Sequence, residues 1–303
     1  MTTPDNGKLD LGTLEASVLL FGGPYGNREA TEALLAEAER RAIPWHRVIC
    51  TGDVAAYCAD PQDCVDLLRA RNIATVMGNC EEQLAIDAAD CGCGFGEGSA
   101  CETLSVAWYD YCRRALDHKA KRWMGSLPRR IDFTLGRRRL AVVHGSVSRI
   151  NRLIFNSTPD VEKAGELDLA ASDGVIGGHC GLPFSSLIES EIDIRLWHNA
   201  GAIGMPANDG TPRVWFSILT VESDGIRATI EAIHYDHERA ARRMREFRLP
   251  EGYIDCLASG LWPSCEILPP VERACRGRPI ASTSAFWRHR VDDRRPGQSR
   301  KAS

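Results

Sequence analysis

Apolar residues in the first half of the chain come in short unbroken runs that each end in glycine. Residues 17–21 (Ser-Val-Leu-Leu-Phe), 48–50 and 74–77 lack polar alternation, the pattern of parallel strands covered on both faces. Between the first two, residues 28–41 carry apolar side chains at 30, 33, 34, 35 and 38, one face of a helix. Pro61 suits a helix start, and Cys64, Val65, Leu67 and Leu68 supply its apolar stripe. Strand, glycine loop and helix thus occur twice, giving βαβ units. Residues 103–124 predict one or two helices. Residues 131–135 and 140–143 flank Gly136-Arg137-Arg138-Arg139 as a hairpin, and 175–176, 192–197, 214–221 and 226–233 continue as strands, followed by a helix over 234–247. Two such series predict an α/β fold in which two sheets pack face to face with helices outside.

This organisation suggests a polar leader over 1–15, a main domain over 16–247, a compact appendix over 248–275 packed on that domain, and an Arg/Ser/Pro-rich tail over 276–303 that reads as disordered. The glycine-rich stretch from Asp90 reads as a loop, and 91–101 as a flexible lid. The tail holds eight Lys/Arg against two Asp, a surplus of six, so the remaining chain carries a formal charge of −10 against −4 for the whole. A net acidic body excludes nucleic-acid binding by the folded part. No stretch has the length of a secretory signal or a membrane span, so a cytoplasmic protein with no membrane partner is expected, its twelve cysteines reduced.

The candidate chemistry lies where the central strands stop. Thr51-Gly52-Asp53 follows one and Gly78-Asn79-Cys80-Glu81 the next, which sets Asp53 and Asn79 side by side at the carboxyl edge of the sheet, where α/β proteins bind ligands. Asp53 alone could be a helix cap. Further blocks follow: Val142-Val143-His144-Gly145, Gly178-His179-Cys180-Gly181, and Asn199-Ala200-Gly201-Ala202-Ile203-Gly204-Met205-Pro206. Gly22 to Gly26 has neither the lysine nor the spacing of a nucleotide-binding loop. Arg149 and Arg152 read as solvated surface, and His198, His234 and His237 as structural or exposed.

In this order and spacing the blocks resemble the calcineurin-like metallophosphoesterases, over about residues 16–235. The resemblance implies a four-layer sandwich of two mixed β-sheets flanked by helices, and a site of two metal ions bridged by an aspartate. It matches Asp53 to that aspartate and makes Asn79, His144 and His179 further ligands, a donor set suited to Mn, Fe or Zn. The family's opening aspartate-any-histidine stands here as Gly23-Pro24-Tyr25, and a second histidine as Gly181, so one ion is expected rather than two. Cys80 replaces a histidine near the leaving group, which makes Asp53, Asn79 and Cys80 the catalytic candidates. Cys58, Cys80, Cys180, Cys91 and Cys93 are alternative thiolate ligands. The function implied is hydrolysis of a small phosphorylated substrate, a phosphomonoester or phosphodiester; the alternative is a noncatalytic metal- or ligand-binding regulatory protein on the same fold.

Overall fold

The computed structural model describes residues 7–94, 98–189 and 193–289. One sheet contains β1 (Lys8–Leu14), β5 (Arg130–Leu135), β6 (Arg138–Val142), β7 (Gly174–Gly177), β8 (Phe184–Glu189) and β9 (Ile194–Asn199), in the order β1-β5-β6-β7-β9-β8. The other contains β2 (Ser17–Phe21), β3 (Val48–Cys50), β4 (Ala74–Thr75), β10 (Val214–Glu222), β11 (Gly225–Ile233) and β12 (Thr283–Arg288), in the order β12-β11-β10-β2-β3-β4. Both are mixed: β2, β3 and β4 run parallel while β10 joins β2 antiparallel, and β6, β7 and β9 run parallel while β5–β6 and β8–β9 are antiparallel.

The unbroken apolar runs are explained by two-sided burial. On β2, Val18 and Leu20 point into the layer between the sheets, where they meet Ile131, Phe133, Val142 and Leu196 of the other sheet. Leu19 and Phe21 point the opposite way, under α1 (Arg28–Arg40) and α2 (Pro61–Ala70). α3 (Asn79–Ala85), α4 (Ala100–Ala115) and α5 (His118–Ser126) continue this side, and α6 (Asp160–Ala170) covers the outer face of the second sheet through Leu167 and Ala170. α7 (His237–Glu246) and α8 (Glu251–Ser259) also enter the first layer, through Met244, Ile254 and Leu257, and α9 (Pro270–Ala274) follows. The four-layer sandwich is therefore present. Among the described residues no helix is long and apolar enough to cross a membrane.

Two boundaries differ from the sequence reading. The leader contributes β1, an edge strand paired in parallel with β5; it is exposed apart from buried Leu14 and half-buried Leu11, so little of its apolar content signals a strand although its backbone is laddered. The tail is not disordered from residue 276, because Thr283–Arg288 pairs with β11. Its anchor is Trp287, which is fully buried, donates from Nε1 to the Ile194 carbonyl at 2.7 Å, and stacks under the buried Arg138 guanidinium at 4.7 Å. Arg138 is in turn held by both carboxylate oxygens of Asp193. One aromatic residue thus outweighs the basic composition around it. Residues 290–303 of the expected tail lie outside the described residues. The predicted 131–143 hairpin forms about Gly136, whose φ of +58° meets the turn's demand for a left-handed residue, whereas the 74–77 run keeps only Ala74 and Thr75 in the ladder.

Candidate metal centre

Four loops at the carboxyl ends of β3, β4, β6 and β7 meet over the gap between the sheets. Two glycines let the first pair touch. A Cβ on Gly52 would stand 2.8 Å from the Gly78 nitrogen, and one on Gly78 would stand 2.3 Å from Asp53 Oδ1. Asp53 itself has φ of +57°, a conformation that needs outside support. Glu81 provides it, accepting hydrogen bonds from the backbone nitrogens of Asp53 at 2.7 Å, Val54 at 2.8 Å and Gly78 at 2.9 Å.

Glu81 follows directly on the Gly78-Asn79-Cys80 block, with no role expected from that pattern alone. The available signal was its place three residues after the N-cap Gly78, where an acidic side chain reaches back to the cap nitrogen. Glu81→Ala would leave these three buried donors without their acceptor, so a loss of about 3 kcal/mol or more is expected, read as a lower denaturant midpoint at unchanged slope. Glu81→Gln, which keeps one acceptor oxygen, loses less. Equal midpoints for wild type and Glu81→Ala would refute the role.

Asp53, Asn79, His144 and His179 converge. His144 Nδ1 lies 2.7 Å from the Thr51 carbonyl and can only donate to it, which makes Nε2 the lone pair of a neutral ring. Around Nε2 stand Asp53 Oδ2 at 3.2 Å, Asn79 Oδ1 at 3.1 Å and His179 Nδ1 at 3.0 Å. The Asn79 amide is oriented independently, since Nδ2 donates to the Cys91 carbonyl at 2.9 Å and faces Cys93 Sγ at 3.3 Å. Two oxygen acceptors, from Asp53 and Asn79, face this lone pair beside the second imidazole, and they repel it unless a proton or a positive charge lies among them. A proton on either ring or a metal cation answers that requirement.

The electrostatics agree. Burial pushes Asp53 up, but His144, His179 and the Cys80 N–H together outweigh it and hold the carboxyl below its usual range. Burial pushes His144 down, and the Asp53 carboxylate more than reverses this. Burial and then the charge of His144 bring His179 down to about 4. Asp53, His144 and His179 each offer a ligand atom within 4.8 Å of the others. One carboxylate oxygen, two imidazole nitrogens and the adjacent amide oxygen fit a divalent transition ion.

The other predicted positions divide. Gly23, Tyr25 and Gly181 do come together: the Tyr25 ring lies over Gly23, where an added Cβ would be 2.3 Å from Cζ, and its hydroxyl is 3.7 Å from where a Gly181 Cβ would stand. Burial, and then Asp53, push the Tyr25 phenol well above its ordinary value, so it is a neutral O–H. Cys80 donates its backbone N–H to Asp53 Oδ1 at 3.2 Å, but its side chain packs into the core and burial keeps the thiol protonated. Cys180 is likewise pushed up to about 12 by burial. Cys58 faces the Gly204 carbonyl.

The expectation of a free, reduced lid is corrected for its first residues. Cys91 and Cys93 are joined as a disulfide, both are buried, and the segment is tied down by Asn79 and by Asn151 Nδ2, which donates to the Gly92 carbonyl at 3.0 Å. The Asn79 amide hydrogens need acceptors and this loop supplies them. Residues 95–97 of the expected lid lie outside the described residues. Arg152 is paired with Glu162 and Glu166 rather than aimed at the site.

The model of the calcineurin-like phosphoesterase superfamily domain matches residues 26–224. An uncharacterized protein of Methanocaldococcus jannaschii is 22% identical over 253 residues, covering 78% of this chain and 96% of that protein. The crystal structure of a metallophosphoesterase from Sphaerobacter thermophilus is similar at a TM-score of 0.63, with 22% identity over 82% of this chain and 100% of that one. A hypothetical protein from Pyrococcus horikoshii reaches a TM-score of 0.69 at 17% identity, again over 82% of this chain and 100% of its own.

Proposed function

The chain belongs to the calcineurin-like phosphoesterase superfamily, and we propose that it is a metal-dependent phosphoesterase that hydrolyses a small phosphomonoester or phosphodiester at a one-ion site. The observation that carries this reading is the convergence of Asp53 Oδ2, Asn79 Oδ1 and His179 Nδ1 on the lone pair of His144. These four residues would hold a divalent ion, Mn, Fe or Zn. When bound, such an ion supplies Lewis-acid polarisation of the phosphoryl group and a water acidic enough to attack near neutral pH.

The chain's own residues do the positioning. Thr51 fixes the ring of His144, Cys91 fixes the amide of Asn79, and Glu81 and the Cys80 N–H fix Asp53. One ion is proposed because the three positions that would complete a second site carry no ligand side chain except the Tyr25 phenol, whose ring fills the space. That phenol, neutral and lining the same cavity as Asp53 and His179, is placed to donate a hydrogen bond to a phosphoryl oxygen.

Cys80 favours the second reading, a noncatalytic metal- or ligand-binding regulatory protein, because a buried neutral thiol offers little as a proton donor to a leaving group. Aryl phosphates, whose leaving groups need no acid, separate the two. With Mn, Fe(II) or Zn added, one ion per chain and metal-dependent release of p-nitrophenol are expected. One ion without turnover would favour the second reading, and no bound ion would overturn the first and leave only the ligand-binding form of the second.

A further inference from the structure

Beside Asp53 and His179 a cavity of about 80 Å³ opens, and its walls are mainly apolar: Leu153, Met205, Tyr57, Tyr253, Trp262 and Ile267, with Ser264 among them. Among the described residues no lysine or arginine lines it. Phosphate sites that take sugars or polyphosphates present cations and hydroxyl-directed donors, because each buried polar group of the ligand must be paired. The wall opposite the ligand cluster offers a hydrophobic surface instead. From this we infer that the cavity receives an apolar arm of the phosphate ester, a short alkyl chain, while the phosphoryl group sits at the Asp53–His179 end. This rests on the phosphoesterase reading for the placement of the phosphoryl group.

Much of the wall lies outside the family match. Tyr253, Trp262 and Ile267 lie beyond residue 224, the last that the family model matches. That segment is fixed to the site rather than loosely apposed: Trp262 donates from its indole Nε1 to the Pro206 carbonyl at 2.7 Å, and from its backbone to Asn208 Oδ1 at 2.9 Å. Pro206 closes the block that runs from Asn199, so the appendix is docked directly onto a site loop. On the inner side, Tyr57 packs against Tyr25 at 4.9 Å and Tyr253 at 4.7 Å between ring centroids, which joins the apolar wall to the phenol over Gly23. The selectivity for the arm thus depends in part on the segment after residue 248.

The cavity's size sets the length of the arm. It is about half the ~150 Å³ that admits a benzene ring in an apolar protein interior, room for a few methylenes. Burying each methylene should tighten binding about fourfold, until the space is full at about four carbons.

The test uses the full chain loaded with Mn and alkylphosphonates, which carry one arm and cannot be hydrolysed, with binding measured by calorimetry. Methyl-, ethyl-, propyl- and butylphosphonate should bind with dissociation constants falling about fourfold per carbon, whereas 2-aminoethylphosphonate should bind no better than methylphosphonate. Trp262→Ala, its fold checked by circular dichroism, should flatten the series. Turnover of p-nitrophenyl phosphate is measured separately. A flat series, or a preference for the aminoethyl arm, overturns the inference while leaving turnover, and so the phosphoesterase reading, standing. A rising series without turnover supports the inference and sinks catalysis. The wild-type series decides the matter even if the Trp262 variant fails to fold.

Discussion

Asp53→Ala should release the bound ion and lower aryl-phosphate turnover by about 10³ or more. Asp53 is the only anion in the ligand set, and it is 4% exposed, so no solvent-held counter-charge replaces it. Loss of an outer partner alone typically costs 10- to 100-fold in metal affinity; loss of the charged ligand costs more. The rate follows because an ion stabilises the charge of phosphoryl transfer by several kcal/mol, and each 1.36 kcal/mol is tenfold. Linkage gives a readout free of activity. Wild-type protein should gain about 2.7 kcal/mol of stability when Mn stands at a hundredfold excess over its dissociation constant, and the variant should gain none. His179→Ala, which leaves three ligands and the charge, should fall between them. Stoichiometric metal in folded Asp53→Ala would mean that the ion sits elsewhere.

The convergence of Asp53, Asn79, His144 and His179 was legible in the sequence because strand and polar residue are contiguous there. An apolar run, a glycine and a polar residue follow one another at 48–53, 74–79 and 174–179, so the local pattern carries both the element and its chemistry. Features that depend on partners distant in the chain were not legible. β1 and β12 are edge strands held by a ladder and by single anchors, Leu14 and Trp287, and polar composition hides such strands. The three backbone donors that Glu81 collects include those of Asp53 and Val54, 28 and 27 residues away. The docking of residues 91–93 on Asn79 is equally invisible to a composition that reads only as glycine-rich loop. The apolar wall joins residues near 57, 153, 205 and 262, which no local window brings together.

Converting the space under Tyr25 into a second ion site should raise bound metal from one ion per chain toward two, and only when three positions change together. The combination is Gly23→Asp, Tyr25→His and Gly181→His. Gly23→Asp alone cannot place a carboxylate while the Tyr25 ring stays in place, because its Cβ would meet that ring at 2.3 Å. Tyr25→His alone opens the space but adds one ligand, too few for an ion that takes four or more. Gly181→His has room, its Cβ standing 3.7 to 3.9 Å from Tyr25, Ala202 and Trp262, but it too is a single donor. The backbone demands are strict, since φ is +45° at Gly23, +52° at Tyr25 and +68° at Gly181. Aspartate and histidine are among the residues found most often in this left-handed region, so each glycine replacement should cost about 1 to 3 kcal/mol rather than prevent folding. With Asp53 shared between the two ions, the variant should also hydrolyse aryl phosphates faster, because a second cation adds charge stabilisation to the phosphoryl group. Metal analysis after dialysis, beside turnover and a thermal melt, reads all three consequences. A folded triple variant that still binds one ion and turns over no faster would show that these positions do not form a site around Asp53, and the one-ion reading would then need another cause than the Tyr25 ring.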